Sequence, residues 1–362
     1  MTLEVEISER EKERYDRQLR LTEVGIEGQK KLKASSVLVV GAGALGCPVL
    51  QYLTAAGVGT IGVIDNDWID ESNLHRQVLY DSNDIEIPKP KAVQNKLNKL
   101  NPFVQIYPYF NKFDKFIALE IAKNYDILID CTDNFAARYL INDAAVILNK
   151  PVVYGAVERF SGQIIVLNHK KGATLRCIYP KPPHPLEVPS CDEIGVLGSM
   201  AGIIGSMQAT EVLKIILELE GVLSGKMFIL DSLNFSAQII SFERNPAMAD
   251  IKTLGDYNEM CLSSNGQLNE INKDEFLKLK VEYPEIKVID LRSDYLKSPI
   301  SFDSISIPYY EIAQKLDNLP TNYPLVFYCD NGIKSAAVIN YLQNECKMSN
   351  LYALNLNTNN TI

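Results

Sequence analysis

The chain has no run of 18 apolar residues in its 362 positions, which excludes a membrane-spanning helix. Its first residues, MTLEVEISEREKERYDRQ, are charged throughout and lack the apolar centre of a secretory signal. Cysteine is sparse and odd in number, with seven residues at 47, 131, 177, 191, 261, 329 and 346. Such a set does not read as a disulfide framework and predicts free thiols in a reducing cytoplasm. Positive charge is in deficit: 36 Lys and Arg stand against 45 Asp and Glu, for a net charge of −9. A nucleic-acid or anionic-membrane surface is thereby excluded as the main partner, although one local basic pocket for phosphates is not. There is no internal repeat, and the single low-complexity tract is the polar tail Asn355–Ile362. What is present, 46% hydrophobic and 22% charged residues, is the composition of a globular chain long enough for about two domains.

After a polar, helix-prone start (residues 5–33, with apolar spacing through Tyr15, Leu19 and Leu21), Ser36–Val40 is an apolar, β-branched run. A glycine cluster comes next, Gly41-Ala42-Gly43-Ala44-Leu45-Gly46, then a helical pattern over Pro48–Ala56 and a second apolar run ending at Asp65. This is one βαβ unit. The alternation continues with helices over Lys91–Leu100, Asp114–Lys123 and Phe135–Leu148, and strands over Val104–Tyr109, Ile127–Asp130 and Pro151–Tyr154. It predicts an α/β fold with a doubly wound, mostly parallel sheet. Gly162–Asn168 alternates without a preceding helix and begins an antiparallel extension, completed by Lys226–Asp231 and Ala237–Phe242 after a long helix, Leu197–Leu219. The Pro-rich stretch 181–198 reads as a mobile crossing loop. The reading therefore divides the chain into a first domain, 1–252, a polar linker, 253–268, and a smaller α/β domain, 269–362. In the last of these, strands Val288–Leu291 and Leu325–Tyr328 and helices Tyr309–Leu316 and Ser335–Gln343 stand out.

A glycine turn between strand and helix lets backbone approach a phosphate at a helix N-terminus. Asp65 lies 24 residues after Gly41, at the next strand end, where a carboxylate can accept two hydrogen bonds from a ribose. On these features alone an NAD-dependent oxidoreductase is an open reading. The residues further along the chain point elsewhere: Asp65-Asn66-Asp67, Ser72-Asn73-Leu74-His75-Arg76-Gln77, Lys89 and Lys91, then Cys131-Thr132-Asp133-Asn134. A triphosphate carries about four negative charges and needs neutralisation, which Arg76 and Lys89 supply with Asn73 as one polar donor. Asp133, just past a strand end, suits a divalent metal that bridges phosphates.

These stretches resemble the MoeB/ThiF/HesA adenylating enzymes, relatives of ubiquitin-activating enzymes. The resemblance is carried by Tyr15-Asp16-Arg17-Gln18, GAGALGCP, DND, SNLHRQ, CTDN with Arg138, Gly155-Ala156-Val157, Gly162-Gln163, and Cys191 upstream of Gly195-Val196-Leu197-Gly198. It covers residues 14 to about 245, in the family's order and spacing. It implies a Rossmann-like nucleotide site using ATP and Mg²⁺, built from Gly41, Gly43, Ala44, Gly46, Asp65, Asp67, Ser72, Asn73, Leu74, His75, Arg76, Lys89, Asp133 and Asn134. Asp65 is expected on the ribose, Asn73, Arg76 and Lys89 on the phosphates, and Asp133 on the metal. Arg17 is expected to reach into the neighbouring site of a homodimer. Ala44 stands where the family usually has a further glycine, a change the turn tolerates if φ stays negative.

The resemblance implies adenylation of the C-terminal Gly-Gly carboxylate of a small ubiquitin-like sulfur carrier, MoaD- or ThiS-like, for molybdopterin or thiazole (thiamine) synthesis. Cys191 is the expected loop nucleophile, while Cys47 and Cys131 read as packing residues. Many relatives hold a structural zinc with two CxxC pairs. Here Thr174-Leu175-Arg176-Cys177 keeps one thiol and 245–251 none, so no zinc is expected and Cys177 reads as a buried thiol. Asp290-Leu291-Arg292 and Cys329-Asp330-Asn331-Gly332-Ile333-Lys334-Ser335 before a helix resemble a rhodanese-like domain, shortened at its C-terminus. That implies a sulfur-carrying Cys329, with a cysteine desulfurase as a donor. A catalytically degenerate docking module for the carrier is the remaining alternative.

Overall fold

The structure, a computed structural model, describes residues 5–182, 195–255, 257, 268–292, 300–320, 322–330 and 332–356. Cys191, Cys261 and Asn331, with most of the predicted crossing loop and linker, lie outside the described residues. The described residues up to 181 and from 195 to 255 form one compact unit, and those from 257 onward belong to a second.

The first unit is built on an eight-stranded sheet. Its strands are β1 (Ser36–Val40), β2 (Thr60–Ile64), β3 (Gln105–Tyr109), β4 (Ile127–Asp130), β5 (Val152–Glu158), β6 (Ser161–Leu167), β7 (Lys226–Asp231) and β8 (Ser236–Ser241), in the order β3-β2-β1-β4-β5-β6-β7-β8. The first five in that order run parallel, and β6 to β8 are antiparallel, with Val152 opposite Leu167 and Gly162 opposite Leu230. β1 and β4 are covered on both faces, which is why Val37–Val40 and Ile127–Ile129 read as unbroken apolar runs rather than alternating ones. The helix Gly198–Ile216 packs on the helix Gly46–Ala56 and on β5 and β6. From it the fully buried Gln208 donates from Nε2 to the carbonyls of Asp130 (2.8 Å) and Val153 (3.2 Å). The carboxamide thus ties the ends of β4 and β5 together.

The second unit carries a five-stranded parallel sheet, in the order β11-β10-β12-β13-β9. These are β9 (Glu270–Ile271), β10 (Val288–Asp290), β11 (Ser304–Ser306), β12 (Leu325–Tyr328) and β13 (Leu351–Leu354). Ile289, Leu291, Phe327, Val338 and Ile339 form one core, and Phe276, Val288 and Val326 form another.

The differences from the sequence reading are local. Leu21 is 54% exposed and Leu19 only half-buried, so of the three spaced apolar positions Tyr15 is the buried one. The helix expected over Asp114–Lys123 spans only Ala118–Ala122, because Asp114 Oδ1 accepts the N–H groups of Phe116 and Ile117 and holds a turn instead. Tyr309–Leu316 is a 3₁₀ helix, Tyr309–Gln314, not an α-helix; such short segments suit the i→i+3 pattern. The strand expected at Pro151–Tyr154 continues to Glu158. The short strands β9, β11 and β13 and the helix Lys273–Glu282 are additions.

The N-terminal helix Glu9–Arg14 is held by a buried carboxylate. Glu11 is 2% exposed, accepts from Ser8 N (3.0 Å) and pairs with Lys33 Nζ at 2.7 Å. Burial pushes its carboxyl up, but the bonds from Lys33 and Ser8 outweigh it and hold the pKa below the ordinary value. A carboxylate depressed in the folded state stabilises above its unfolded pKa, and the benefit is lost as pH falls through the folded value. Glu11→Gln should therefore lower stability by about 1–3 kcal/mol at neutral pH. The gap from wild type should narrow as the pH drops below about 4, the unperturbed Glu range. Thermal unfolding of both proteins between pH 3 and 7 measures it; a gap independent of pH would discount the ion pair.

Candidate active site

The strand order reverses at β1, which has β2 on one side and β4 on the other. Ligands of open α/β sheets bind at such a switch point, beyond the strands' C-terminal ends. Here the glycine turn leaves β1 beside the loop that leaves β4. Gly41 has φ +95°, and a Cβ on it would stand 2.7 Å from the carbonyl oxygen of Cys131; one on Gly46 would stand 2.2 Å from the oxygen of Gly41. Protein backbone demands these two glycines. Gly43 differs. Its φ is not left-handed, and the one atom within 4 Å of a Cβ built there is Gln77 Nε2 at 3.8 Å. The space in front of Gly43, at the head of an eleven-residue helix, is open. Ala44 takes no positive φ, so alanine costs the turn nothing.

Three segments converge on this turn. From the end of β2, Asp65 accepts the N–H of Ala42 on Oδ2 (2.7 Å) and that of Asp67 on Oδ1 (2.8 Å). Burial pushes the Asp65 carboxyl up, against Lys89 and the two N–H groups that pull it down. From the SNLHRQ segment Gln77 borders Gly43, and just after it Tyr80 donates its hydroxyl to the Ala42 carbonyl at 2.8 Å. From the end of β4, Cys131 packs under Gly41 and Gly46. Asp130, 1% exposed, accepts from Thr132 N (2.9 Å) and Oγ1 (2.7 Å), so the chain turns sharply and Asp133 emerges exposed. Asn134 donates to Asp133 Oδ1 at 3.2 Å and caps the helix Phe135–Ile147 through Ala137 N.

The cations are mounted differently. Lys89 is 5% exposed, and its ammonium donates to Asp67 Oδ2 at 2.9 Å. Lys91, the other sequence candidate, is exposed and donates to Gln94. The difference arises from the helix start: residues 89 and 91, two apart, point to different faces. Arg76 donates to the Ser72 carbonyl (2.9 Å) and to His75 Nε2 (2.9 Å). Ser72 N is held by Asp70 Oδ1, and Asn73 and Leu74 lie half-buried on the same turn. Arg138, 6% exposed, stacks between the Phe135 and Tyr154 rings, with its carbon 5.0 and 5.4 Å from their centroids, and donates to the Thr132 carbonyl. Arg17 sits exposed on the helix Asp16–Leu19, where its ion pair is with Asp16 at 3.8 Å; among the described residues it pairs with nothing in the crevice. Gln77, Tyr80 and Asp130 are the site residues that sequence reasoning did not single out. Gln77 lay within the matched SNLHRQ stretch, but its burial had no sequence signal.

The cysteines divide by environment, and the five described ones are free. Burial pushes the Cys47 thiol up to about 12 and Cys131 well above its usual range. Cys177 is a correction: it is half-buried, not buried. Its sulfur accepts from Thr174 N (3.4 Å) and Asn245 N (3.3 Å) and lies 3.3 Å from Thr174 Oγ1. In the second unit Cys329, 4% exposed, comes directly after β12, and its sulfur accepts from Ser335 N (3.4 Å) and Oγ (3.3 Å). Gly332, with φ +75°, caps the helix Ile333–Asn344 beside it. Arg292 pairs with Asp290 through two bonds of 3.0 Å and reaches Asp330 at 3.3 Å. Lys334 Nζ stands 4.8 Å from the centroid of the Tyr309 ring.

The sheet order and the open glycine turn define a doubly wound protein with a switch-point crevice shaped for a phosphate-bearing ligand. The ThiF family matches residues 15–249, and the chain belongs to that family. It is 48% identical over 241 residues to the sulfur carrier protein adenylyltransferase of Thermus thermophilus, covering 65% of this chain and 89% of that protein. It is 36% identical over 362 residues to the adenylyltransferase and sulfurtransferase MOCS3-2 of Drosophila pseudoobscura pseudoobscura, covering 91% and 79%. Escherichia coli MccB, solved with ATP, shares the fold at a TM-score of 0.57 and 22% identity, over 67% of this chain and 74% of that one.

Proposed function

We propose that this chain is an adenylyltransferase that uses ATP to activate the C-terminal glycine of a small ubiquitin-like sulfur carrier, and that its second unit delivers sulfur to the product. The observation that supports this most is the convergence of the β2, SNLHRQ and β4 segments on one glycine turn whose middle glycine faces open space. The carrier carboxylate attacks the α-phosphorus. A P–O bond forms, and the bond to the β-phosphate breaks with its electron pair going to pyrophosphate. Such a transfer needs positioning and charge compensation, with no side-chain nucleophile.

In this reading Asp65 takes the ribose, and Asn73, Arg76 and Lys89 contact the phosphates, the two cations offsetting their charge. The Lys89–Asp67 pair aims a nearly buried ammonium. Asp133, with Asn134 beside it, offers the exposed carboxylate that Mg²⁺ needs alongside substrate phosphates. The ion would neutralise phosphate charge there. Arg17 acts in trans within a homodimer. The exposed apolar side chains Leu233, Phe235 and Ile239 near the β8 edge suit a small protein partner. The Thr174–Cys177 and Asn245–Met248 corner carries no zinc; hydrogen bonds around one sulfur replace it. Sulfur arrives as a persulfide on Cys329, from a donor such as a cysteine desulfurase, under the N–H and hydroxyl of Ser335. Cys191 attacks the adenylate carbonyl, forming a thioester and expelling AMP, or attacks the protein-side sulfur of a carrier acyl persulfide, forming a disulfide as the S–S bond breaks and the carrier leaves as its thiocarboxylate. Molybdopterin or thiazole synthesis is the outlet.

Asp133→Ala should remove carrier-dependent ATP–pyrophosphate exchange, by about a hundredfold or more, in a folded protein. Mixing it with Arg17→Ala should restore activity through one intact site per mixed dimer. Full exchange in the single Asp133 variant, or no recovery despite subunit exchange, contradicts these assignments. Purified protein should contain well under one zinc per chain, and elemental analysis finding a full equivalent would reverse the reading of the Cys177 corner. Cys329→Ala should keep pyrophosphate exchange but yield no carrier thiocarboxylate by mass spectrometry. Thiocarboxylate at the wild-type rate would remove Cys329 from the sulfur path.

A further inference from the structure

We propose that the Gln77 carboxamide is a phosphate-binding group of the nucleotide site; this rests on the proposal that the crevice binds ATP. Its backbone is clamped. Gln77 N donates to Asn73 O at 2.9 Å, Arg76 N donates to the same oxygen at 3.1 Å, and the Gln77 carbonyl accepts from Tyr80 N at 3.1 Å. Tyr80 in turn holds the Ala42 carbonyl. The side chain is 4% exposed, and its Oε1 is buried with no hydrogen-bond partner among the described residues. A buried polar atom left unpaired is costly and calls for an explanation, of which an absent ligand is one.

The location supplies that ligand. Gln77 Nε2 is the one atom within 4 Å of a Cβ built on Gly43, so the carboxamide walls the open space that the turn leaves in front of its middle glycine. A carboxamide can be turned end for end at little steric cost, presenting N–H or C=O to that space. The surroundings select the N–H. The turn opens a helix N-terminus, Arg76 is the adjacent residue, and Lys89 lies beside Asp65, an environment that favours an anion. A phosphate oxygen in front of Gly43 accepts from Nε2, and water carried with the hydrated phosphate donates to Oε1. A side chain that merely filled space beside Gly43 would be replaceable by leucine without effect on any ligand.

The test compares wild type, Gln77→Leu and Gln77→Glu. The readouts are the ATP KM and kcat in pyrophosphate exchange, the binding of ATP and of adenosine by calorimetry, and thermal midpoints. Leucine removes both polar atoms. Glutamate keeps the shape, loses the donor and adds a charge. For leucine the ATP KM should rise about tenfold, the worth of one hydrogen bond to a charged group, with kcat and adenosine affinity within twofold. Glutamate should lose about a hundredfold or more in ATP affinity and keep adenosine, and it carries the test if the leucine variant does not fold. ATP affinity within twofold of wild type in both variants, or adenosine lost in step with ATP, overturns the assignment while the nucleotide reading stands. A wild type that binds neither ATP nor adenosine overturns both.

Discussion

The contact between Gly41 and the Cys131 carbonyl organises the first unit. A Cβ at residue 41 would come within 2.7 Å of that oxygen, so β1 and β4 leave the sheet side by side only because residue 41 has no side chain. That proximity puts the Gly43 turn and the Asp133 loop on the same crevice, although they are 90 residues apart. The reversal of strand order at β1 opens the crevice, and Gln208 locks its floor by bridging β4 and β5. Glycine demanded by protein backbone at 41 and 46 and glycine left open at 43 are separate facts. The second is the one that concerns a ligand.

Charge in the crevice is prearranged rather than neutralised away. Lys89 is nearly buried but has an exposed carboxylate partner in Asp67, whose side chain is 63% exposed. A partly solvated partner pins the ammonium without cancelling its field, and an incoming polyphosphate can take over part of the pairing. Asp65 is tied to two backbone N–H groups, so its oxygens hold the turn's shape as well as offering acceptors. The second unit repeats this device. Arg292 is held by Asp290 and reaches Asp330 beside Cys329, and its guanidinium lies over Tyr328 with its carbon 4.9 Å from the ring centroid.

Much of this was legible in the sequence because period and composition agreed. β1, β4, β7 and β12 have the expected bounds; the first three are apolar runs closed by Gly41, Asp130 and Asp231, and β12 is an apolar run leading straight into Cys329. The doubly wound sheet with its antiparallel extension was readable from strands with and without intervening helices. What escaped was short or decided by tertiary contact. β9, β11 and β13 have two to four residues, too few for a period to show. The helix Lys273–Glu282 carried a start signal, the reciprocal Asn272 and Glu275 cap, but its one fully buried apolar anchor is Phe276. The choice between Lys89 and Lys91 needed the register of a helix start. The burial of Gln77 and the half-exposure of Cys177 depend on neighbours far away in sequence.

The thiols show how far environment, rather than residue type, divides labour. Cys47 and Cys131 sit buried under the glycine turn, where burial first, and Asp130 beside Cys131, raise their pKa values, so at neutral pH they are small apolar side chains holding the turn. Cys177 lies at a corner where two backbone N–H groups point at its sulfur. Those donors, from Thr174 and Asn245, fix the sulfur in place. Cys329 also receives a backbone N–H, but at the head of a twelve-residue helix, with a hydroxyl as second donor. A negative sulfur or a persulfide there is met by the helix dipole and by donors that need not move. Cys177 stands in the first turn of a four-residue helix, whereas Cys329 faces a helix of twelve residues, and that longer helix, with the Ser335 donors on the sulfur, is what supports the proposed sulfur role of the second unit.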